Sequence, residues 1–204
     1  MSIIKPGSKI FDIGANWGQS AERFLNAGAA HVLCLEPCWQ NYLILRDHPD
    51  PRITPLHVAA WLRHEILKIY FAARDPGHSS LYPKKWDNLY KERWVESEEV
   101  SAVTLDSLIN QFGLPECIKI DVEGSESEVL QGLTMKPSLL IYEFHLEFAE
   151  EAMGCLEYAF NLGYSLATYT TQDLDLETEP FLTFDEFRKR FIDEKPAWGQ
   201  ITLR

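Results

Sequence analysis

Short apolar runs alternate with helix-like segments along most of the chain. Runs rich in β-branched and aromatic residues, typical of buried parallel strands, occur at 10–13, 31–36, 117–122 and 138–144. Between them, apolar residues recur every three or four positions, which predicts helices over 20–25, 39–46, 104–111, 127–133 and 148–162. This alternation predicts a Rossmann-like, doubly wound α/β sheet with its ligand at the carboxyl ends of the strands.

The other elements have weaker patterns. Residues 53–60 predict a third strand of the sheet, and 66–71 predict an additional, antiparallel strand at its edge. Late strands are expected at 164–168 and 200–203, and a capping box at 183–186 predicts one more helix. Because neither an internal repeat nor a low-complexity linker interrupts the chain, we expect residues 1–204 to form a single domain.

An insertion over residues 74–99 is predicted to be neither a strand nor a simple loop. Within it, Trp86, Tyr90 and Trp94 recur every four residues, which indicates one face of an amphipathic helix that begins at Pro83. Two interpretations stay open. The aromatic stripe packs on the core, or the segment is a lid whose aromatic and cationic side chains line a substrate pocket.

Composition and charge exclude several classes of protein. Of the 204 residues, 46% are hydrophobic, which suits one domain with a sizeable core. The net charge of -12 argues against a nucleic-acid partner, and we find no apolar run of the roughly 20 residues that span a membrane. The four cysteines are scattered, so we expect reduced thiols and a cytoplasmic protein.

A glycine-containing turn follows the first strand. It has the order Asp12-x-Gly14-x-Asn16-x-Gly18, and a helical pattern starts directly after it, which predicts a nucleotide-binding strand-turn-helix element. Dinucleotide-binding folds favour G-x-G-x-x-G instead. The Asp12 carboxylate would repel a pyrophosphate but would suit a cation such as S-adenosylmethionine.

A second acidic residue strengthens this interpretation. Glu36 ends the second predicted strand, where a carboxylate can accept hydrogen bonds from both ribose hydroxyls of a nucleoside. The glycine pattern alone is equally compatible with a tight turn that binds nothing. Together, Asp12 and Glu36 favour S-adenosylmethionine as the ligand.

At this point four stretches resemble the FkbM-type methyltransferases. They are FDIGANWG at 11–18, LEP at 35–37, VTLD at 103–106 and IKIDVEGSE at 118–126, and the resemblance runs from about residue 8 to residue 146. These are class I, S-adenosylmethionine-dependent enzymes, and many act on hydroxyl groups of sugars and natural products. The resemblance implies a seven-stranded, mostly parallel sheet with an antiparallel hairpin at one edge.

The resemblance also implies how the cofactor would be bound. The methionine end of S-adenosylmethionine would be surrounded by Asp12, Gly14, Asn16 and Gly18. Glu36 would hold the ribose, and Ala59 or Ala60 would lie near the adenine. For the neighbouring Trp61 two roles stay open, since it could stack on the base or simply pack the corner after the strand.

The DVEG segment is the second functional centre that the resemblance implies, and in this fold it faces the transferred methyl group. If the strand persists, alternation puts Asp121 and Glu123 on one side, and either could act as general base or orient the acceptor. Alternatively, Glu123 and Glu126 cap the next helix.

Two more titratable residues, Glu143 and His145, close the following strand. His145 is a candidate base or acceptor-orienting residue, with a hydrogen-bonded structural histidine as the alternative. Together with Asp121 and Glu123 these residues could bind a divalent metal. Because no ligand pair has the i, i+4 spacing of a helix site, we expect no metal.

The function expected from these features is transfer of a methyl group from S-adenosylmethionine to a hydroxyl group of a small molecule such as a sugar or natural product. Two other classes stay open. An NAD(P)-dependent oxidoreductase fits the alternation of elements, but Asp12 and the missing third glycine oppose it. A non-catalytic S-adenosylmethionine-binding module would have a decayed cofactor loop or would lack the acidic pair, and neither is seen.

Overall fold

A mixed sheet of seven strands forms the centre of the part of the chain that the structure describes. From edge to edge the strands are β3 (Ile53–Leu56), β2 (His31–Leu35), β1 (Lys9–Ile13), β8 (Cys117–Ile120), β9 (Leu139–His145), β11 (Trp198–Leu203) and β10 (Ala167–Thr170). The structure is a computed structural model that describes residues 2–72, 79–81, 94–172, 174, 176 and 180–204.

The direction of the strands confirms the expected sheet. Strands β3, β2, β1, β8 and β9 pair in parallel, whereas β11 lies between β9 and β10 and is antiparallel to both. The last two strands therefore form the antiparallel hairpin at one edge. The predicted strand over 164–168 begins later than expected, because only Ala167–Thr170 pairs with β11.

Helices cover both faces of this sheet. They are α1 (Gln19–Asn26), α2 (Trp39–Arg46), α3 (Leu105–Phe112), α4 (Glu126–Gln131), α5 (Ala149–Asn161) and α6 (Phe184–Glu194). Each lies where the apolar periodicity predicts it, and the predicted capping box of Thr183 and Glu186 begins α6. None of the helices in the described ranges has the length and apolarity that crossing a membrane requires.

Alternation along the strands separates two apolar layers. Phe11 and Ile13 of β1 pack with helices α3 to α6 on one face of the sheet, and Ile10 packs with α1 and α2 on the other. Each fully buried Leu, Ile or Phe side chain contributes about 1.5–3 kcal/mol to folding. Asp12 is on the face of Ile10, so its carboxylate is buried beside an apolar layer.

A second, four-stranded sheet corrects two predictions. Its order is β4 (Ala59–Ala60), β7 (Trp94–Val103), β5 (Glu65–Ala72) and β6 (Ser79–Ser80). The strand predicted over 53–60 was wrong as one element, since the main-sheet strand ends at Leu56 and Ala59–Ala60 pairs with β7. The strand predicted over 66–71 exists, but it pairs with β7 and not with the edge of the main sheet.

Of the insertion predicted over 74–99, only residues 79–81 and 94–99 are described. Ser79–Ser80 and the residues from Trp94 onward are strands, so Trp94 does not continue a helix. Pro83, Trp86 and Tyr90 lie outside the described residues, and the lid therefore stays a prediction.

The turn between β1 and α1 joins three strand ends. The N–H groups of Gly14 and Ala15 donate to the carbonyl of Leu35 at 3.0 and 2.9 Å. Gly14 has a φ of 77°, and a Cβ atom there would stand 1.8 Å from the carbonyl oxygen of Asp121. The turn therefore requires glycine at this position, because only glycine combines a positive φ with so close a backbone approach.

We predict that Gly14→Ala severely destabilises the fold. The positive φ alone costs about 1–3 kcal/mol, and the overlap with the Asp121 carbonyl adds to this cost. Urea unfolding provides the measurement. The control is Gly154→Ala in α5, where no described atom outside the local helix backbone lies within 4 Å of the added Cβ, so alanine should stabilise by about 0.5–1 kcal/mol. Equal midpoints for the two variants would contradict the account of the turn.

Candidate functional site

A cavity of about 520 Å³ opens at the carboxyl ends of the parallel strands. This is the expected position of a ligand in a doubly wound sheet. Seven of the predicted site residues line it, namely Gly14, Asn16, Glu36, Ala59, Ala60, Asp121 and Glu123. The structure therefore brings the predicted cofactor residues and the DVEG segment to one cavity.

Three predicted site residues have other positions. Asp12 is completely buried beneath the cavity, and Gly18 is the residue before α1 with a φ of 94°. His145 lines a smaller, neighbouring pocket of about 20 Å³. Any effect of these residues on a ligand in the main cavity would therefore pass through their neighbours.

A buried lysine that the sequence analysis did not single out connects the two halves of the site. The register of β1 and β8 places Asp12 opposite Lys119. The Lys119 Nζ atom lies 3.5 Å from Asp12 Oδ1 and 3.0 Å from Asp121 Oδ2, and the residue is only 2% exposed. Burial lowers the pKa of Lys119, but attraction by Asp121 and Asp12 outweighs it and raises the pKa above its usual range. Strand alternation could have indicated the ion pair between Lys119 and Asp121, because it puts these two residues on one face of the strand.

Beyond this ion pair, three carboxylates converge. Oxygens of Asp121, Glu123 and Glu143 all lie within 4.8 Å of one another. Asp121 and Glu123 do not meet by strand alternation, which was the prediction. The strand β8 ends at Ile120, and Glu123 lies in the following turn with a left-handed φ of 55°. Glu143 reaches the cluster from β9, where Tyr142 is beside Ile120.

The charges in this cluster favour a bound cation. Burial raises the pKa of Glu143 well above its usual range, and the carboxylates of Asp121 and Glu123 raise it further. The spacing of the three carboxylates is also compatible with a divalent cation. The Lys119 ammonium, however, already provides a positive charge 3.0 Å from Asp121. The absence of a metal stays a prediction.

Glu126 holds the backbone of the DVEG turn. Its Oε1 accepts hydrogen bonds from the N–H groups of Val122 at 3.0 Å and Gly124 at 3.3 Å. Burial raises the pKa of Glu126 to about 7, although these hydrogen bonds act against the shift. The Ser80 hydroxyl donates to the carbonyl of Glu123 at 3.0 Å, which attaches the second sheet to the same turn.

Glu36 performs a similar task at the glycine turn. Its two carboxylate oxygens accept hydrogen bonds from the N–H groups of Asn16 and Cys38, each at 2.8 Å. Burial raises the pKa of Glu36 to about 7. Because each carboxylate oxygen can accept a further bond, Glu36 can still bind hydroxyl groups of a ligand in the cavity.

Three polar atoms at the cavity have no hydrogen-bond partner among the described residues. They are Asn16 Oδ1, Ser125 Oγ and Glu143 Oε2, and all three residues line the cavity. Buried polar atoms are normally hydrogen-bonded, so a ligand with polar groups would satisfy them. With the close backbone approach at Gly14, this set fits the methionine end of S-adenosylmethionine.

One part of the cavity wall is apolar. Val58, Ala59, Ala60 and Ile69 line it, and their small or aliphatic side chains leave room for a flat ring. Trp61 does not line the cavity. It is 7% exposed, packs with residues of the second sheet such as Ile69 and Val100 and donates from Nε1 to Glu65 at 2.8 Å, which supports its packing role and not base stacking.

Comparison with known proteins identifies the family. A family model described as the methyltransferase FkbM domain matches residues 12–176, a range that includes the glycine turn and the DVEG segment. The chain belongs to the FkbM methyltransferase family. S-adenosylmethionine is the cofactor that this membership implies, and the FkbM assignment supports a methyltransferase over an NAD(P)-dependent oxidoreductase.

Individual FkbM-like relatives cover the chain unevenly. The 2-O-methyltransferase NoeI of Sinorhizobium fredii is 29% identical over 146 residues, which are 63% of this chain and 58% of NoeI. Methyltransferase FkbM from Methylobacillus flagellatus superposes with a TM-score of 0.60 at 16% identity, over 97% of this chain and 44% of that one. The chain therefore spans only about half the length of these two relatives.

A shorter protein has a similar fold. A putative S-adenosylmethionine-dependent methyltransferase from Listeria monocytogenes superposes with a TM-score of 0.50 at 8% identity, over 97% of this chain and 90% of that one. At this identity the similarity shows the fold alone.

We predict that Lys119→Met in this FkbM domain lowers the free energy of unfolding by about 3–5 kcal/mol, because it removes the Lys119 ammonium from the buried Asp12 carboxylate. Urea unfolding at neutral pH tests this. Lys5→Met is the matched control, since Lys5 pairs with Glu116 at 2.6 Å but its side chain is 73% exposed, and it should change stability little. Similar losses in both variants would contradict the central role of the buried ion pair.

Proposed function

We propose that the chain is an S-adenosylmethionine-dependent methyltransferase that methylates a hydroxyl group of a small molecule such as a sugar or natural product. The supporting observation is one cavity that is lined both by the buried Glu36 carboxylate and by the cluster of Asp121, Glu123 and Glu143. Family membership supports the transferred group, and the name of the relative NoeI supports a hydroxyl acceptor.

The cofactor would lie along the strand ends in this proposal. Glu36 would accept hydrogen bonds from the ribose, Ala59 and Ala60 would contact the adenine, and Gly14 and Asn16 would hold the methionine end. Asp12 and Gly18 would not contact the cofactor. Asp12 would act through its ion pair with Lys119, and Gly18 through the start of α1. When bound, S-adenosylmethionine supplies a methyl group activated by a positively charged sulfur.

The acidic residues would then position the acceptor. Methyl transfer is an in-line displacement, so much of its rate comes from holding the acceptor oxygen in line with the methyl carbon. Asp121 and Glu123 line the cavity and could bind acceptor hydroxyls or remove a proton from one. The net charge of -12 favours a neutral or cationic small molecule over a nucleic acid.

Isothermal titration with S-adenosylhomocysteine and with NADH, followed by transfer of labelled methyl groups to free monosaccharides and phenols, tests this proposal. We expect S-adenosylhomocysteine to bind, NADH not to bind, and label to appear in a hydroxyl-bearing acceptor. In Glu36→Gln, the affinity for S-adenosylhomocysteine should fall by about 10- to 100-fold, the equivalent of one charged hydrogen bond.

Glu98→Gln is the matched control. Glu98 also accepts a backbone N–H, that of Trp39 at 2.7 Å, but it does not line the cavity, so its variant should bind normally. Binding of S-adenosylhomocysteine that Glu36→Gln leaves unchanged would refute the assigned ribose site. NADH binding without S-adenosylhomocysteine binding would refute the proposed function. Cofactor binding without transfer to any acceptor would favour a non-catalytic module.

A further inference from the structure

Glu143 lies where the main cavity meets a second pocket. It lines the 520 Å³ cavity together with Asp121 and Glu123. It also lines the pocket of about 20 Å³ that contains His145 and Glu151. Of the three clustered carboxylates, Glu143 is the one that lines both spaces.

An imidazole stands behind this carboxylate. His145 Nε2 lies 3.4 Å from Glu143 Oε2, and both side chains are largely buried, with 16% and 15% exposed. A carboxylate and an imidazole at this separation can exchange a proton after a small movement. The pair therefore forms a route from the main cavity into the smaller pocket.

The other two carboxylates are less suited to accept a proton and release it. Asp121 is 3.0 Å from the Lys119 ammonium, so its carboxylate already takes part in an ion pair, and it does not line the second pocket. Glu123 does not line the second pocket, so it lacks the route through His145. Efficient proton transfer needs a base whose pKa lies near the working pH. The pKa of Glu143 is raised above that of an ordinary carboxylate, which moves it toward neutral pH.

The groups that face Glu143 come from several elements. The segment from β8 to α4 contributes the carboxylates of Asp121, Glu123 and Glu126 and the ammonium of Lys119. On its own strand it faces His145. On β11 its partner is the uncharged Gln200, and α5 contributes Glu151 to the small pocket. Negative groups thus predominate around Glu143.

We propose that Glu143 is the general base of the methyl transfer and that His145 acts through it by passing the proton toward solvent. In this step the acceptor O–H bond breaks and its proton goes to Glu143, while an oxygen electron pair forms the bond to the methyl carbon. The electron pair of the broken carbon–sulfur bond stays on sulfur, which becomes a neutral thioether. The inference rests on the proposed function.

A binding experiment can detect this base without knowledge of the acceptor. With no sulfonium in the cavity, burial and the surrounding carboxylates favour the protonated form of Glu143. A sulfonium in the cavity favours the ionised form, whereas the thioether of S-adenosylhomocysteine carries no such charge. Binding of S-adenosylmethionine should therefore release more protons than binding of S-adenosylhomocysteine.

The number of protons released is measured by titration calorimetry at about pH 7 in buffers with different ionisation enthalpies. We expect wild-type protein to release up to about one proton more with S-adenosylmethionine than with S-adenosylhomocysteine. Glu143→Gln should lose this difference. Glu151→Gln, the same chemical change at a carboxylate that does not line the main cavity, should retain it.

Each outcome distinguishes between the hypotheses. Equal proton release by the two ligands in wild-type protein, or an unchanged difference in Glu143→Gln, would overturn the inference. If the amide variant does not bind, Glu143→Asp replaces it, and a pH dependence identical to that of wild type would again count against Glu143. Failure of wild-type protein to bind either ligand would instead contradict the proposed function.

His145 has its own test. In His145→Gln the proton difference should persist, but its pH dependence should shift, because the variant removes the titrating ring 3.4 Å from Glu143. Loss of fold stability alone would not move this pH dependence. An unmoved dependence would remove His145 from the proposed route.

Discussion

One buried ammonium group, the Nζ of Lys119, connects the two functional parts of this domain. It lies within 3.5 Å of Asp12 beneath the glycine turn and within 3.0 Å of Asp121 at the start of the DVEG turn. Removal of one partner from such a pair leaves an uncompensated charge away from water, which is costly. The glycine turn and the DVEG turn therefore form one electrostatic unit at the centre of the sheet.

Backbone geometry reinforces this unit. The Asp121 carbonyl lies so close to Gly14 that no side chain fits between the two turns. Glu36 and Glu126 then use their carboxylates to hold the turns through backbone N–H groups. Burial raises the pKa of each to about 7, because a carboxylate away from water disfavours its charged form. A cationic cofactor in the cavity would stabilise the charged form.

Local patterns predicted the elements of the fold because helices and buried strands depend on periodicities within a few residues. The helix over 39–46 and the strand near 10–13 are examples. The break after Leu56 and the second sheet were missed, since they depend on which strand pairs with which, and β5 and β7 are far apart in sequence.

Sequence patterns likewise predicted only part of the candidate site. Its motifs were visible in the sequence, and Glu36 and Asp121 indeed line one cavity. The pairing of Lys119 with Asp12 depends on strand register, and the position of Glu123 depends on its left-handed backbone after β8; no short motif reveals either.

A crystal structure of the chain with S-adenosylhomocysteine tests the central claim most directly. The account predicts the ribose hydroxyls on Glu36, the adenine beside Ala59 and Ala60, and the sulfur facing the cluster of Asp121, Glu123 and Glu143. A ligand bound with its ribose away from Glu36, or with its sulfur turned away from the cluster, would contradict it.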